Sequence, residues 1–305
     1  MKSAVDFVKQ DGIGQAGLKS TSILQKVAKL KSLKWLLVLI PLAYTILLLY
    51  YSIFSVLKLS IYGENGFTLQ YISEVLTDPI YIKVLWITIK TAAIVTVTTL
   101  FIAYPLAYLA AIAGGKWKSS ILGIIMVSFW ISLLVRTFTW LVILRDHGVI
   151  NEFLMYLGII DKPIQLVYNF TGVVIGMTHI LLPYMVLCLY SVMDGIDRNV
   201  IQAAHGLGAR PLKTFAQIFL PLSLPGVLSG ALIVFVLGLG YFVTPMLIGG
   251  PDNTMISELI QQNIQTTLNW ERASALSILL LVTTLILLSI ASLFARNLSV
   301  LKEDK

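Results

Sequence analysis

Residues 197–227 read D-R-N-V-I-Q-A-A-H-G-L-G-A-R-P-L-K-T-F-A-Q-I-F-L-P-L-S-L-P-G-V, a partly polar stretch between two long apolar runs. Val200–Leu207 favours a helix, and Asp197 or Asn199 can cap its start. Gly208 can supply the positive φ that ends it. Pro211 suits an early position in a second helix. Phe215, Ile218 and Phe219 put an apolar edge on that helix. Pro221 and Pro225 predict a bend where the chain re-enters the next apolar run. A helix with small residues at Ala203 and Ala204, backed by apolar side chains, suits docking into a groove on a partner. The connection 194–221 is long beside its neighbours, and a long ordered loop in a compact protein is usually functional.

The runs on either side define the fold class. A spanning helix needs about 20 predominantly apolar residues. Six segments qualify: Lys34–Leu57, Val84–Ala111, Ser120–Leu144, Phe170–Met193, Leu222–Ile248 and Ala273–Ala295. In lipid each must satisfy its own backbone hydrogen bonds, so each is expected to be helical. The chain is 57% hydrophobic and 12% charged, against about 25% charged in soluble domains, so a soluble protein with an unusually large core is a remote reading. An all-α polytopic membrane protein with six transmembrane helices is expected. Pro41, Pro105, Pro183, Pro225 and Pro245 fall within these runs, where neighbouring helices can re-satisfy the freed carbonyls. Gly226 and Gly230 form a small-xxx-small pair that lets helices approach closely.

Charge sets the orientation. Seven lysines precede residue 35, Lys116 and Lys118 follow the second run, Arg198, Arg210 and Lys213 lie in the long connection, and Arg296, Lys302 and Lys305 end the chain. These are fifteen of the 22 Lys and Arg, all on one side of a six-span arrangement. The opposite loops hold nine of the fifteen acids. Both termini are therefore expected in the cytoplasm. Residues 1–33 form a basic cytoplasmic tail, 34–298 the six-span domain, and 299–305 a second short tail. Ile23, Val27, Leu30 and Leu33 recur at helical spacing among lysines, which suits an interfacial helix on anionic lipid as well as a solvated tail. The polar, lysine-containing start also favours a retained first span over a cleavable signal.

The stretch Gln202-Ala203-Ala204, Gly208, Ile218, Leu220 and Pro221 resembles the E-A-A loop of ABC importer permeases. That motif runs E-A-A, three residues, G, nine residues, I, one residue, L-P, and only Gln202 departs from it. The resemblance implies a type I ABC importer permease (MetI-like) fold and makes these seven residues the ATPase-coupling set. Further segments resemble spermidine/putrescine permeases: Phe129-Trp130-Ile131-Ser132 with Arg136, Gly148–Leu154, Gly158–Pro163, Leu182–Met185, Phe242–Pro245 and Gly249–Pro251. The similarity runs from about Phe67 to about Phe294. It implies an inner-membrane permease for polyamines or a related small organic cation or amino-acid-like solute. Its expected partners are two ATPase copies, a second permease chain, a periplasmic solute-binding protein and membrane lipid, without nucleic acid.

Absent features bound the chemistry. Lys116 follows Gly115, but Ala110 and Trp117 replace the Gly and Ser/Thr that a P-loop needs. ATP hydrolysis is thus expected in a partner, and this subunit is not an enzyme. Cys188 is the sole cysteine, and His147, His179 and His205 lie far apart, so no metal or other cofactor is expected. The six runs contain no Asp or Glu and one histidine, His179, which weakens the alternative of an ion-coupled secondary transporter. Lys90 and Arg136 do fall within runs, near the periplasmic side, where an ion pair with acids such as Asp146 is expected. A cationic solute wants aromatic faces and carboxylates. Trp130, Trp140, Tyr184, Tyr241 and Phe242 offer the faces, and Glu258 offers a carboxylate beside Asp146 and Glu152. With Arg136, the candidate pathway set is Trp130, Tyr184, Tyr241, Phe242 and Glu258. Ile256, Leu259, Ile260 and Ile264 predict a short periplasmic helix within 252–266.

Overall fold

A computed structural model describes residues 37–63 and 66–303. The basic segment 1–33, with its candidate interfacial helix, lies outside the described residues. The chain divides into two units, Met1–Lys58 and Leu59–Lys305. The described part of the first belongs to helix α1, Leu37–Ile61. At 1.5 Å per residue, its 25 residues are long enough to cross a hydrocarbon core of about 30 Å. Pro41 sits in its second turn, and the Thr45 hydroxyl donates to the Pro41 carbonyl at 2.8 Å.

The second unit begins in the last residues of α1, continues through a short hairpin, β1 (Tyr62–Gly63) and β2 (Gly66–Phe67), and is mainly helical thereafter. Its helices are α2 (Gln70–Thr77), α3 (Pro79–Ile112), α4 (Gly115–Trp130), α5 (Leu133–Ile143), α6 (Val149–Tyr156) and α7 (Phe170–Met193). They continue as α8 (Arg198–Gly206), α9 (Pro211–Thr214), α10 (Leu220–Gly240), α11 (Val243–Ile248), α12 (Ile256–Gln265) and α13 (Trp270–Glu303). A π-helical turn, Phe215–Phe219, joins α9 to α10, so one 30-residue apolar helix runs Pro211–Gly240.

The core is the packing of α3, α7 and α10. On α7, Val173, Met177, Leu181, Met185, Leu189 and Met193 recur every fourth residue, and each is 3% exposed or less. On α3, Ala92, Ala103, Ala107 and Ala110 are fully buried. Small side chains on α3 let backbones close up where lipid gives no hydrophobic drive between helices. On α10 a Cβ at Gly226 would meet the Val192 Cβ at 3.0 Å and the Leu189 Cα at 3.3 Å. A backbone atom cannot swing aside, so Gly226→Leu is expected to destabilise the protein by about 1–3 kcal/mol. Gly230→Ala meets the Met185 sulfur at 2.7 Å, in a side chain that can turn, and the Cys188 Cβ at 3.2 Å, and the smaller alanine should cost less than leucine at Gly226. Thermal unfolding of both variants in detergent checks the order.

Among the described residues, five helices are long and apolar enough to cross a membrane, and α4–α5, counted as one broken span, makes the sixth. The expected continuous span Ser120–Leu144 is therefore corrected. It breaks at Ile131–Ser132 and bends by 99°. The span expected over Leu222–Ile248 is also corrected: its helix begins earlier and stops at Gly240, leaving Tyr241 and Phe242 outside helix. The last span starts at Trp270, so it carries Glu271 and Arg272 in its first turn. Arg272 pairs there with Glu74 of α2 at 2.8 Å. The bend expected at Pro221 and Pro225 is replaced by the π turn, whose Leu220 N–H reaches back to the Phe215 carbonyl.

Candidate coupling element and translocation pathway

The connection between α7 and α10 is built from local backbone chemistry. The Asp197 carboxylate accepts from the Asn199 N–H at 2.9 Å and caps α8. At the other end Gly208 has φ +82°. The Ala209 N–H donates to the Ala204 carbonyl at 3.0 Å, and the Gly208 N–H to the His205 carbonyl at 2.9 Å. These two bonds make a complete Schellman motif, which satisfies carbonyls that would otherwise be orphaned. Pro211 then occupies the first position of α9.

No residue of α8 is buried. Gln202 and Ala203 are exposed, and Ala204 is half-buried. Leu207 and Leu212, on either side of the Gly208 turn, are 90% and 83% exposed. Ile218, Leu220 and Pro221 lie at the root, where the element joins the bundle. Phe215 and Phe219 stack at 5.9 Å and meet Tyr104 and Tyr108 of α3 edge-on, with centroids 4.9–6.1 Å apart. The Tyr104 and Ser223 hydroxyls are 2.8 Å apart. The tip of the element is thus bare and its root is fixed to the core.

Two polar contacts tie the element to the α3–α4 turn. Arg198 donates to the Ala111 carbonyl at 2.9 Å. The Lys118 ammonium reaches both Asp194 oxygens at 2.8 and 2.9 Å. It also lies 5.2 Å from the Tyr190 ring centroid. The Lys118 hydrogen bond holds the Asp194 carboxyl below its usual range. A depressed carboxyl contributes stability above its unfolded pKa and loses it only as pH falls through the folded value. The pair therefore stays charged at neutral pH.

At the other end of the bundle, both broken spans meet. Tyr241 and Phe242 form the non-helical step between α10 and α11. Irregular backbone at membrane depth is tolerated where protein buries it or a cavity lies alongside. The Ser257 hydroxyl donates to the freed Tyr241 carbonyl at 2.6 Å. The next helix is pinned beside it, because the Ile256 N–H donates to Thr88 Oγ1 of α3 at 2.9 Å. That N–H is one of the orphan donors of a helix start. Glu258, third in α12, has its carboxyl pushed up by burial, opposed by a hydrogen bond with the Met255 backbone.

Arg136 stands in the first turn of α5. Its guanidinium crosses the break to donate to Ser128 Oγ of α4 at 3.2 Å. It also acts electrostatically on His179 and Tyr241, while Tyr184 acts on Tyr241. Tyr184 packs edge-on with Phe129 at 5.0 Å, and Trp140 with His179 at 5.5 Å. Ser128 and His179 are the polar members of an open cavity of about 330 Å³ walled by Leu106, Ile125, Leu182 and Pro183. Arg136, Tyr184 and Tyr241 thus converge. Trp130 is 89% exposed, and its ring pairs with no other among the described residues. Phe242 is half-buried at the step.

The ion pairs expected of Lys90 and Arg136 are corrected: neither has an acid within 4 Å among the described residues. Lys90 lies over the Phe170 ring at 5.4 Å. Because α3 starts at Pro79, Lys90 also sits about 16 Å along the helix, deeper than expected. Residues 149–156 and 256–265 are helices. The first is locked by buried Asn151, which donates to the Arg145 and Ile164 carbonyls and accepts from the Ile164 N–H, all within 2.9–3.1 Å. Ser128, His179, Thr88 and Ser257 were not foreseen as members of the site. A hydroxyl inside an apolar run was the only visible signal of Ser128 and Thr88, His179 was the lone histidine of the runs, and Ser257 lay in the short helix expected within 252–266.

Residues 100–300 match the protein family described as binding-protein-dependent transport system inner membrane component. The spermidine/putrescine transport system permease protein PotB of Escherichia coli K12 is 36% identical over 214 residues, covering 70% of this chain and 78% of that protein. PotB of Salmonella typhimurium LT2 is 33% identical over 263 residues, 86% of this chain and 91% of that one. A bacterial alginate ABC transporter, solved with an alginate pentasaccharide-bound periplasmic protein, contains a chain of the same fold. Its TM-score is 0.70 at 16% identity, with 87% of this chain and 95% of that chain covered. The chain belongs to the family of binding-protein-dependent transport system inner membrane components. It is a non-catalytic permease subunit of an ABC transporter with the MetI-like fold, and ATP is hydrolysed by a separate subunit. The comparisons lend nothing to the ion-coupled alternative.

Proposed function

We propose that this chain is one of two membrane subunits of an importer for spermidine, putrescine or a related organic cation. Both termini face the cytoplasm, and a separate ATPase, in two copies, grips α8 and α9 through Gln202, Ala203, Ala204 and Gly208. The observation that carries this reading is the coupling element itself, with a bare tip and a root fixed by the four-ring cluster. A loaded periplasmic binding protein docks on the opposite loops. ATP-driven closure of the ATPase pair then moves the element as a rigid body, and the spans re-tilt around the solute by alternating access. The polyamine assignment draws its support from the PotB relatives.

Glu258 is the carboxylate of the pathway set, beside the step at Tyr241–Phe242. Its raised pKa means that an empty site pays for a buried charge as pH rises through that value. A bound ammonium group offsets that cost, and aromatic faces at Tyr184 and Tyr241 add cation–π attraction. Glu258→Gln keeps the size of the side chain and removes the charge. Uptake of spermidine or putrescine by the reconstituted importer should fall about tenfold or more, as hydrogen bonds to charged groups are worth roughly 1.5–3 kcal/mol. The melting temperature at neutral pH should hold or rise. Unchanged uptake of both polyamines by the Gln variant would remove Glu258 from the pathway. No uptake of either by the wild type would reject the substrate class.

A further inference from the structure

We propose that Lys118, Asp194, Tyr190 and Arg198 form a joint that makes α4 the arm carrying ATPase-driven motion from the coupling element to the broken third span. The proposal rests on the reading of residues 198–221 as the ATPase docking element. The α3–α4 connection is only Ala113 and Gly114, and the joint holds both of its sides. Arg198, the first residue of α8, bonds the Ala111 carbonyl at the end of α3. Lys118, in the first turn of α4, is held bidentately by Asp194, the C-cap of α7.

The placement of these charges argues for positioning over stability. A cation is unfavourable at a helix N-terminus and an anion at a C-terminus. Lys118 and Asp194 each occupy the wrong end of their helix, and the pair with each other, beside Tyr190 and Arg198, offsets this. Side chains of both are about one-third exposed, 34% and 37%, where ion pairs stabilise little. Tyr190 under the ammonium, 5.2 Å away, narrows the geometry further. What the contact does is fix the start of α4 to α7 beside the coupling element.

Helix α4 packs more lightly than its neighbours. Ile125 is its single buried residue, with Ile121 and Met126 partly buried against the core and Phe129 edge-on to Tyr184 of α7. Its far end carries Ser128, which accepts from Arg136 across the 99° break. Displacement of α8 through Arg198 and Asp194 therefore arrives at Arg136 by way of one rigid helix.

The test uses the complete importer in proteoliposomes, with its ATPase, partner permease and loaded binding protein. Lys118→Glu and Asp194→Lys, singly, are expected to lower stimulation of ATP hydrolysis by the loaded binding protein about three- to tenfold, inside the span seen for positions that modulate coupling. The ATPase should still co-purify, and the melting temperature should change little. The double reversal restores the pair and puts each charge at its favoured helix end, so it should recover stimulation. Arg198→Lys should retain more stimulation than Arg198→Ala. Single reversals with wild-type stimulation overturn the proposal, as does a double reversal no better than the singles. Loss of melting temperature in step with stimulation also overturns it, since that is a structural role. If no ATPase co-purifies with the wild type, the docking reading fails and takes the proposal with it; that result is distinct from failure of the joint alone.

Discussion

Gly208→Val is expected to abolish ATP-driven uptake while leaving the membrane bundle folded. At φ +82° a β-branched residue is strained, at about 1–3 kcal/mol. Space is not the obstacle, because a Cβ built on Gly208 meets nothing within 4 Å. The turn instead relaxes toward negative φ, and both Schellman bonds, from Ala209 to Ala204 and from Gly208 to His205, are lost. The exposed tip with Leu207 and Leu212 then changes shape, whereas the root at Phe215 and Phe219 keeps its ring contacts. Gly208→Asn separates conformation from bulk, since asparagine tolerates the left-handed region. The Asn variant should retain most uptake and the Val variant little. ATPase co-purification and stimulated hydrolysis read the difference. An intact, transport-coupled ATPase in the Val variant would count against the element as the site of coupling.

The coupling turn was legible because its signals are local. Asp197, Gly208 and Pro211 each act on backbone groups within a few residues, so sequence order carries their meaning. The fourth span was legible at both ends for a related reason: Asn169 caps it through the Gly172 N–H, and the apolar run has the length of the helix. The breaks at Ile131–Ser132 and Tyr241–Phe242 were not legible. Apolar residues continue through both, and hydropathy cannot tell a bent span from a straight one. What fixes the second break is tertiary, through Ser257 on the Tyr241 carbonyl and Thr88 on the Ile256 N–H, 168 positions away. Lys118 and Asp194 lie 76 positions apart, and each alone looked like an ordinary loop charge. Arg136 was visible as a charge in an apolar run, but the sequence pointed it toward an acid when its partner is a serine one turn beyond the break.

Arg136→Ala is expected to cut uptake by more than about tenfold without lowering protein abundance. A guanidinium inside a span costs roughly 2.5–3.5 kcal/mol on insertion scales, so its removal relieves the fold of a burden. Stability alone therefore gives no reason for it to be there. Its geometry gives one. The side chain bridges α5 to α4 at Ser128, and its charge bears on His179 of α7 and Tyr241 at the end of α10. Four helices, belonging to three spans, are thus referred to one group at the point where two of those spans break. Alanine leaves the 99° bend without the strut across it, so the two halves of the span no longer move together. Lysine keeps the charge but not the planar fork. If the charge alone matters, Arg136→Lys should transport nearly as well as the wild type. If the bridge to Ser128 matters, Lys should resemble Ala, and Ser128→Ala should share the defect. Wild-type uptake by Arg136→Ala at normal abundance would sink the role altogether, while a fall in abundance matching the fall in uptake would make it structural.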